Sequence, residues 1–224
     1  FIYNMLLSKD ELKFKFSRPL PGIGSHLKMA PAMRAQEVEG LSDKIQHAKL
    51  SAVLILLFPE DSSLKTVFIK RSEYDGVHSG QIAFPGGQKE AFDKSFEDTA
   101  LRETLEEIGI KPTDIEILSQ LSDLFIPPSN FLVKVFVGYS GQRPVYTIDT
   151  KEVQSVVEVN LEDFYDESVI TEKEFASASR GIKIKAPCFT VNNIDIWGAT
   201  AMIMRELLDV LKIENKEPKT ITLS

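Results

Sequence analysis

Cysteine is nearly missing from this chain of 224 residues, in which Cys188 stands alone. One thiol closes no internal disulfide and builds no zinc cluster. The expectation is therefore a reducing, cytoplasmic setting and a buried apolar role for Cys188. Histidine is scarce as well, and His26, His47 and His78 show no metal-ligand spacing. Positive charge is in deficit: 26 Lys and Arg stand against 33 Asp and Glu, for a formal net charge of -7. That argues against general nucleic-acid binding, which needs basic surface for phosphate contacts. It also means that an anionic substrate has to be met by bound metal or by local basic residues, because the overall field repels it. No apolar run reaches the roughly 18 residues that a membrane-spanning helix needs. Residues 1–7 are apolar but too short, and lack the basic start, for a signal peptide. Repeats and low-complexity segments are absent, and no membrane partner is expected.

What is present suits one domain with elaborations, or at most two small ones. Hydrophobic residues are 43% and charged residues 26%, enough for a sizeable core and against wholesale disorder. Residues 1–45 read as an irregular N-terminal arm, with turn chemistry at Pro19-Leu20-Pro21-Gly22; it is expected to cap the active site or to pack on a partner, such as a second copy in a homodimer. Residues 46–215 form the main domain and 216–224 a tail. Residues 51–58 are a continuous apolar run read as a buried strand. A turn at Pro59-Glu60-Asp61-Ser62-Ser63 leads to a second strand at 66–70, which together predict a hairpin. Strands are also predicted at 115–121, 131–139 and 153–159, with a turn at Pro127-Pro128. A helix is predicted over 95–108, with Ser95 as N-cap, Asp98 completing a short-armed capping box and Gly109 as left-handed C-cap. Ala201, Met204, Leu207, Leu208 and Leu211 repeat at helical spacing in a last helix over 199–211. Helices interleaved with strands indicate an α/β class with a mixed sheet.

The informative helix reads Arg102-Glu103-Thr104-Leu105-Glu106-Glu107-Ile108-Gly109-Ile110. Glu103 and Glu107 are four residues apart and so share a helix face, with Glu106 flanking it, while Leu101, Leu105 and Ile108 are expected to point into a core. Like charges on one face repel, and a hard divalent cation with oxygen ligands relieves the repulsion. A bare E-x-x-E-E run is usually only a solvated face; the loop Phe84-Pro85-Gly86-Gly87 ahead of it changes the reading. The stretch from Gly87 to Ile110 resembles the Nudix box, G-x5-E-x7-R-E-U-x-E-E-x-G-U with U aliphatic. Its second half is in register here, apart from Thr104 at an aliphatic position. The spacer is one residue longer than standard. The first glutamate of the box falls on Lys94, which cannot serve, so Asp93 takes its place if one residue is inserted.

The longer spacer resembles the coenzyme A diphosphatase branch of the Nudix hydrolases, in Phe84-Pro85-Gly86-Gly87, Glu90, Asp93, Ser95 and Thr99-Ala100-Leu101-Arg102-Glu103. Upstream, Lys70-Arg71-Ser72 and Gly80 match the spacing of the branch's second signature, but Gly76 stands where that signature has a second arginine. Pro128-Ser129-Asn130-Phe131, Glu152-Val153 and Ile196-Trp197-Gly198-Ala199-Thr200-Ala201 resemble further fragments, with Ser155 and Asn160 departing from the pattern. Trp197 reads more readily as a core anchor than as a substrate contact.

The resemblance implies an α/β/α sandwich around a mixed sheet and metal-dependent hydrolysis of a small nucleotide's diphosphate, with Mg²⁺ or Mn²⁺ as cofactor. Glu103, Glu106, Glu107 and the carbonyl of Gly87 are the implied metal ligands. Arg102 orients the neighbouring carboxylates, and Glu152 is an outside candidate for general base. Arg71, Ser72, Lys70, Arg34 and Phe84 are the implied substrate contacts, with Lys28 another source of positive charge. Coenzyme A is the first expectation for substrate; ADP-ribose, a dinucleoside polyphosphate or another nucleoside diphosphate derivative is the alternative. A non-catalytic nucleotide-binding module is a third reading, disfavoured because the glutamates are all present.

Overall fold

A computed structural model describes residues 7–32, 45–72, 80–177 and 182–212. Its centre is a mixed sheet, and the apolar runs of the sequence supply the middle strands. Strand β1 (Lys49–Glu60) runs parallel to β7 (Phe131–Tyr139) and antiparallel to β2 (Ser63–Arg71). The β1–β2 hairpin turns on Asp61 and Ser62, which both have positive φ, as a two-residue hairpin loop with the right-handed strand twist demands. Short strands β3 (Ile82–Ala83) and β4 (Gly86–Gln88) attach to β2 and β1, and β5 (Glu116–Gln120) and β6 (Leu124–Ile126) attach to β7. Strand β8 (Val153–Asn160) pairs with the other side of β2.

One face of this sheet packs on helix α3 (Phe96–Ile108), the other on α4 (Gly198–Lys212). Strand alternation sorts the core into two clusters. Leu54, Leu56, Val67 and Ile69 meet Ala100 and Ile108 of α3, whereas Ile55, Leu57, Leu64 and Phe68 meet Ala201, Met204, Leu207 and Leu211 of α4. The expected α/β/α sandwich is observed. Beside it, β9 (Ile170–Ser177), β10 (Ile182–Val191) and β11 (Ile194–Trp197) make a second, antiparallel sheet. Cys188 is buried in it, as expected, and Trp197 stacks on Phe175 with ring centroids 4.3 Å apart.

The N-terminal residues depart from their irregular reading. Ser8 and Glu11 form a reciprocal capping box that starts helix α1 (Lys9–Phe16), and a short helix α2 (Ile23–His26) follows. Leu12, Phe16 and Met29 are buried in the same cluster as α4. Among the described residues no helix is long and apolar enough to cross a membrane.

Candidate active site

A fork in the sheet creates the site. Strands β1 and β2 are partners from Leu57↔Thr66 to Glu60↔Ser63 and then part. Beyond the fork β1 takes β4 as partner, through Ser51↔Gln88, Ala52↔Gly87 and Val53↔Gly86, while β2 takes β3. Phe84-Pro85-Gly86-Gly87 is threaded between them. Gly86 has φ 150°, and a Cβ there would lie 2.3 Å from the carbonyl oxygen of Ala52, so the position admits only glycine. A Cβ on Gly87 would lie 2.5 Å from the Glu103 carboxyl carbon, so the second glycine makes room for that carboxylate.

Helix α3 begins as its sequence predicts. The Ser95 side chain accepts from the Asp98 amide and Asp98 accepts from the Ser95 amide, each at 3.0 Å, and Gly109 closes the helix at φ 77°. The acids of the helix are graded in depth. Side-chain exposure is 57% for Glu106, 13% for Glu103 and 1% for Glu107. The expected apolar back of the helix is partly different: Ile108 is buried, but Leu105 is 41% exposed and its place inside is taken by Thr104. Thr104 satisfies its hydroxyl by donating to the Ala100 carbonyl at 2.7 Å, which permits burial.

Arg102 holds this face together. Its guanidinium donates to both Asp93 oxygens at 2.9 and 3.0 Å, to Glu103 at 2.8 Å, to Glu106 at 2.9 Å and to the Gln88 carbonyl at 3.1 Å. Asp93 also accepts from the Glu90 amide and from the Thr99 hydroxyl, both at 2.9 Å. The Arg102 hydrogen bonds, with those of Glu90 and Thr99, outweigh burial and hold the Asp93 carboxyl far below the usual range. Asp93 thus stands where the box's first acid was expected, as the anchor of Arg102.

Glu107 lies deeper. One carboxylate oxygen accepts from the Gly86 amide at 2.8 Å, and the other faces Nη1 of Arg71 at 3.3 Å. Burial pushes its pKa up to about 8, against the pull of Gly86 and Arg71 and helped by the charges of Glu103 and Glu152. Glu103 is raised for the same first reason, burial, with Glu106 and Glu152 adding to it. Among the described residues no three acidic, histidine or cysteine side chains already converge as a metal-ligating group. The carboxylates are instead spread over the donors of Arg102, Gly86 and Arg71. Their chemistry fits a hard divalent cation all the same: the buried Glu107, the half-buried Glu103 and the exposed Glu106 crowd negative charge on one helix face, and all are oxygen donors.

Not every expected substrate contact gathers here. Arg71 does, by sharing the α3 face of β2 with Val67 and Ile69. Lys70 precedes it by one position and so belongs to the opposite face of the strand. The Ser72 amide donates to the Glu152 carbonyl at 2.9 Å, which ties the end of β2 to the exposed Glu152. Phe84 is 2% exposed, with its ring 4.7 Å from that of Phe68, so it is a core residue and offers a ligand no ring face. Lys28 pairs with Asp209 on α4 at 2.7 Å, remote from the α3 face. Arg34 and Gly76 lie outside the described residues. Sequence reasoning missed the Gly86 amide as a donor to Glu107, and Thr99 as a support for Asp93; the paired glycines and the Thr99 that precedes Ala100-Leu101-Arg102 were the available signals.

Residues 48–178 match the family model described as the NUDIX domain. A relative named Nudix hydrolase 22, chloroplastic, from Arabidopsis thaliana is 32% identical over 70% of this chain and 53% of its own length. The chain therefore spans about half the length of that plant protein. A Nudix hydrolase named NudL from Yersinia enterocolitica is 32% identical over 73% of this chain and 82% of its own. A solved Ap4A hydrolase from C. elegans aligns at 18% identity with a TM-score of 0.44, covering 51% of this chain and 82% of that one. A forked sheet that seats two glycines against a glutamate helix, with the domain match over more than half of the sequence, places this chain in the Nudix hydrolase family.

Proposed function

We propose that this protein hydrolyses the diphosphate linkage of coenzyme A or its thioesters, giving 3',5'-ADP and 4'-phosphopantetheine. Nudix hydrolases act on nucleoside diphosphate derivatives and generally use divalent metal ions. The observation that carries the finer reading is the lengthened box, with Asp93 in place of the first glutamate and Thr99-Ala100-Leu101-Arg102-Glu103 after it, which resembles the coenzyme A branch. In support, Asp93 is fully engaged by Arg102, Thr99 and the Glu90 amide, so the extra residue leaves the box's internal anchor whole.

Glu103, Glu106 and Glu107, with the carbonyl of Gly87, are the residues proposed to hold Mg²⁺ or Mn²⁺, which when bound supplies charge neutralisation and activation of water. Arg102 fixes Glu103 and Glu106 through one shared nitrogen, so that they need little ordering when used. Glu152 is the candidate to take the proton from the attacking water: it is exposed, and its charge is felt by both Glu103 and Glu107. Arg71 and Ser72 are the proposed contacts to the diphosphate. Water adds to one phosphorus, the bridging oxygen leaves with the other phosphate, and two phosphomonoesters result.

Gly76 favours a second reading. A 3'-phosphate calls for an Arg or Lys, and the branch's second arginine is missing at that position. One lost charge-assisted contact costs about 1.5–3 kcal/mol. ADP-ribose or a dinucleoside polyphosphate has no 3'-phosphate to hold. The test measures kcat/KM with Mg²⁺ for coenzyme A, 3'-dephospho-coenzyme A, ADP-ribose and diadenosine tetraphosphate, on the parent and on Gly76→Arg. Coenzyme A should be preferred on the parent, and the substitution should improve it. Preference for ADP-ribose with no gain from Gly76→Arg would transfer the assignment to the second reading.

A further inference from the structure

Two arginines serve the acids of α3, and they are held very differently. Arg102 makes five hydrogen bonds between 2.8 and 3.1 Å and is 18% exposed. Arg71 is 25% exposed, and among the described residues its guanidinium meets a single partner, Glu107, at 3.3 Å. A charge-assisted N–H···O bond normally closes to about 2.7–2.9 Å, so this pair is loose. Its place in the chain explains the looseness. Arg71 is the last residue of its strand, and the ladder to β8 slips beside it, Gln154 of β8 being passed over between the partners of Lys70 and Arg71, so Arg71 is held only at the end of a disturbed ladder. On the other side of the pair, Glu107 is anchored independently of Arg71, since the Gly86 amide holds its second oxygen at 2.8 Å. Removing Arg71 therefore leaves the carboxylate in place but short of a counter-ion.

We infer that Arg71 is a displaceable counter-ion of Glu107, whose guanidinium yields that carboxylate to a divalent cation and, once released, turns to the diphosphate of the substrate. The inference rests on the proposed role of Glu107 as a metal ligand. Its consequence is an order of events: with Glu107 ionised, Arg71 becomes free to bind an anion only after metal has neutralised that carboxylate. A guanidinium that merely shaped the site would help the metal in; one that competes for the carboxylate keeps it out. The two roles predict opposite signs for the same substitution.

The experiment titrates Mn²⁺ into the full chain by electron paramagnetic resonance, for the parent, Arg71→Ala, Arg71→Lys and Glu107→Gln, each at a series of pH values so that affinities are compared where Glu107 is ionised. Arg71→Ala should bind Mn²⁺ at least about threefold more tightly, the scale of one partly exposed ion pair, and Arg71→Lys should stay close to the parent. In chelator, Arg71→Ala should melt below the parent, and Mn²⁺ should raise its melting temperature by more. With Mg²⁺ saturating, its KM for the preferred nucleotide should rise by more than its kcat falls. Weaker or unchanged Mn²⁺ binding in Arg71→Ala, with binding lost in Glu107→Gln, overturns the inference and leaves the metal site standing. Unchanged Mn²⁺ binding in Glu107→Gln overturns the metal-ligand reading itself. Should Arg71→Ala fail to fold, Arg71→Gln removes the charge while keeping donors, and the same tightening is required of it.

Discussion

Glu107 is a carboxylate set where water barely reaches it, with a pKa near 8 against an ordinary 4.5. Below pH 4.5 both the folded and the unfolded chain hold the proton. Between the two values the unfolded chain ionises while the folded one retains the proton, so stability present at low pH is lost as pH rises, until the loss is complete near pH 8. In chelator, Glu107→Gln should therefore flatten the decline of the melting temperature across that window, and a decline as steep as the parent's would show that burial does not govern this group. With saturating Mg²⁺ the same variant should lose activity by at least about a hundredfold, the scale on which disturbed metal sites fail; near-full activity would remove Glu107 from the ligand set. Glu103, Glu107 and Arg102 were legible because their spacing and the flanking glycines form a pattern. Leu105 and Phe84 were not. Hydrophobicity marks a residue as able to be buried, while depth is decided by what packs opposite: Thr104 lies inside and its neighbour Leu105 outside, and Phe84 is taken into the core beside Phe68.

Helix α3 depends on its first turn more than its length suggests, because Asp93, two residues before the cap, fixes the loop and the helix together through Thr99 and Arg102. Ser95→Ala removes one half of the capping box and should cost about 1 kcal/mol. The anchor of Asp93 does not pass through the Ser95 side chain, so a lower melting temperature with kcat within about twofold of the parent is expected. An unchanged melting temperature would mean that Asp93 sets the start of the helix by itself. The elements that could be read from the sequence share apolar runs, apolar alternation or clear caps: β1, β2, β5, β7, β8, α3 and α4. The second sheet escaped because Thr171-Glu172-Lys173-Glu174-Phe175 has few apolar residues to mark an edge hairpin, although Asn192-Asn193, both with positive φ, is the turn between β10 and β11. Helix α1 escaped for the converse reason. It buries only Leu12 and Phe16 and shows no apolar stripe, and its one local signal is the Ser8–Glu11 capping box.

The matched domain, 48–178, ends before β10, β11 and α4, and begins after the described N-terminal helices. These outlying pieces meet one another. Helix α4 is buried nearly all round, with Ala201, Met202, Ile203, Met204, Leu207, Leu208, Val210 and Leu211 all inside, and a helix of that kind must be covered on more than its sheet side. The arm supplies the cover: Leu12, Phe16 and Met29 join the α4 cluster, and a polar seam registers the two. Glu206, fully buried, pairs with His26 at 2.8 Å and accepts from the Gly22 amide at 3.1 Å; Asp209 takes Ser25 at 2.5 Å and Lys28 at 2.7 Å. We therefore propose that the described part of the arm is a structural member of the domain, on the face of the sheet opposite the glutamate helix. Leu12→Ala should cost about 2–5 kcal/mol, as buried leucines do, while Mn²⁺ affinity and, at low temperature, kcat remain those of the parent. The seam adds a pH signature of opposite sense to that of Glu107. Burial alone would raise the Glu206 carboxyl, but hydrogen bonds from His26 and Ser122 overcome it and leave the group lowered. A lowered carboxyl contributes stability above its ordinary pKa and loses it as pH falls through the folded value. Glu206→Gln should accordingly be less stable at neutral pH and show a shallower acid decline, followed by denaturant melts at a series of pH values. A Leu12→Ala protein as stable as the parent, or one that lost Mn²⁺ affinity in step with stability, would break the separation of the two faces.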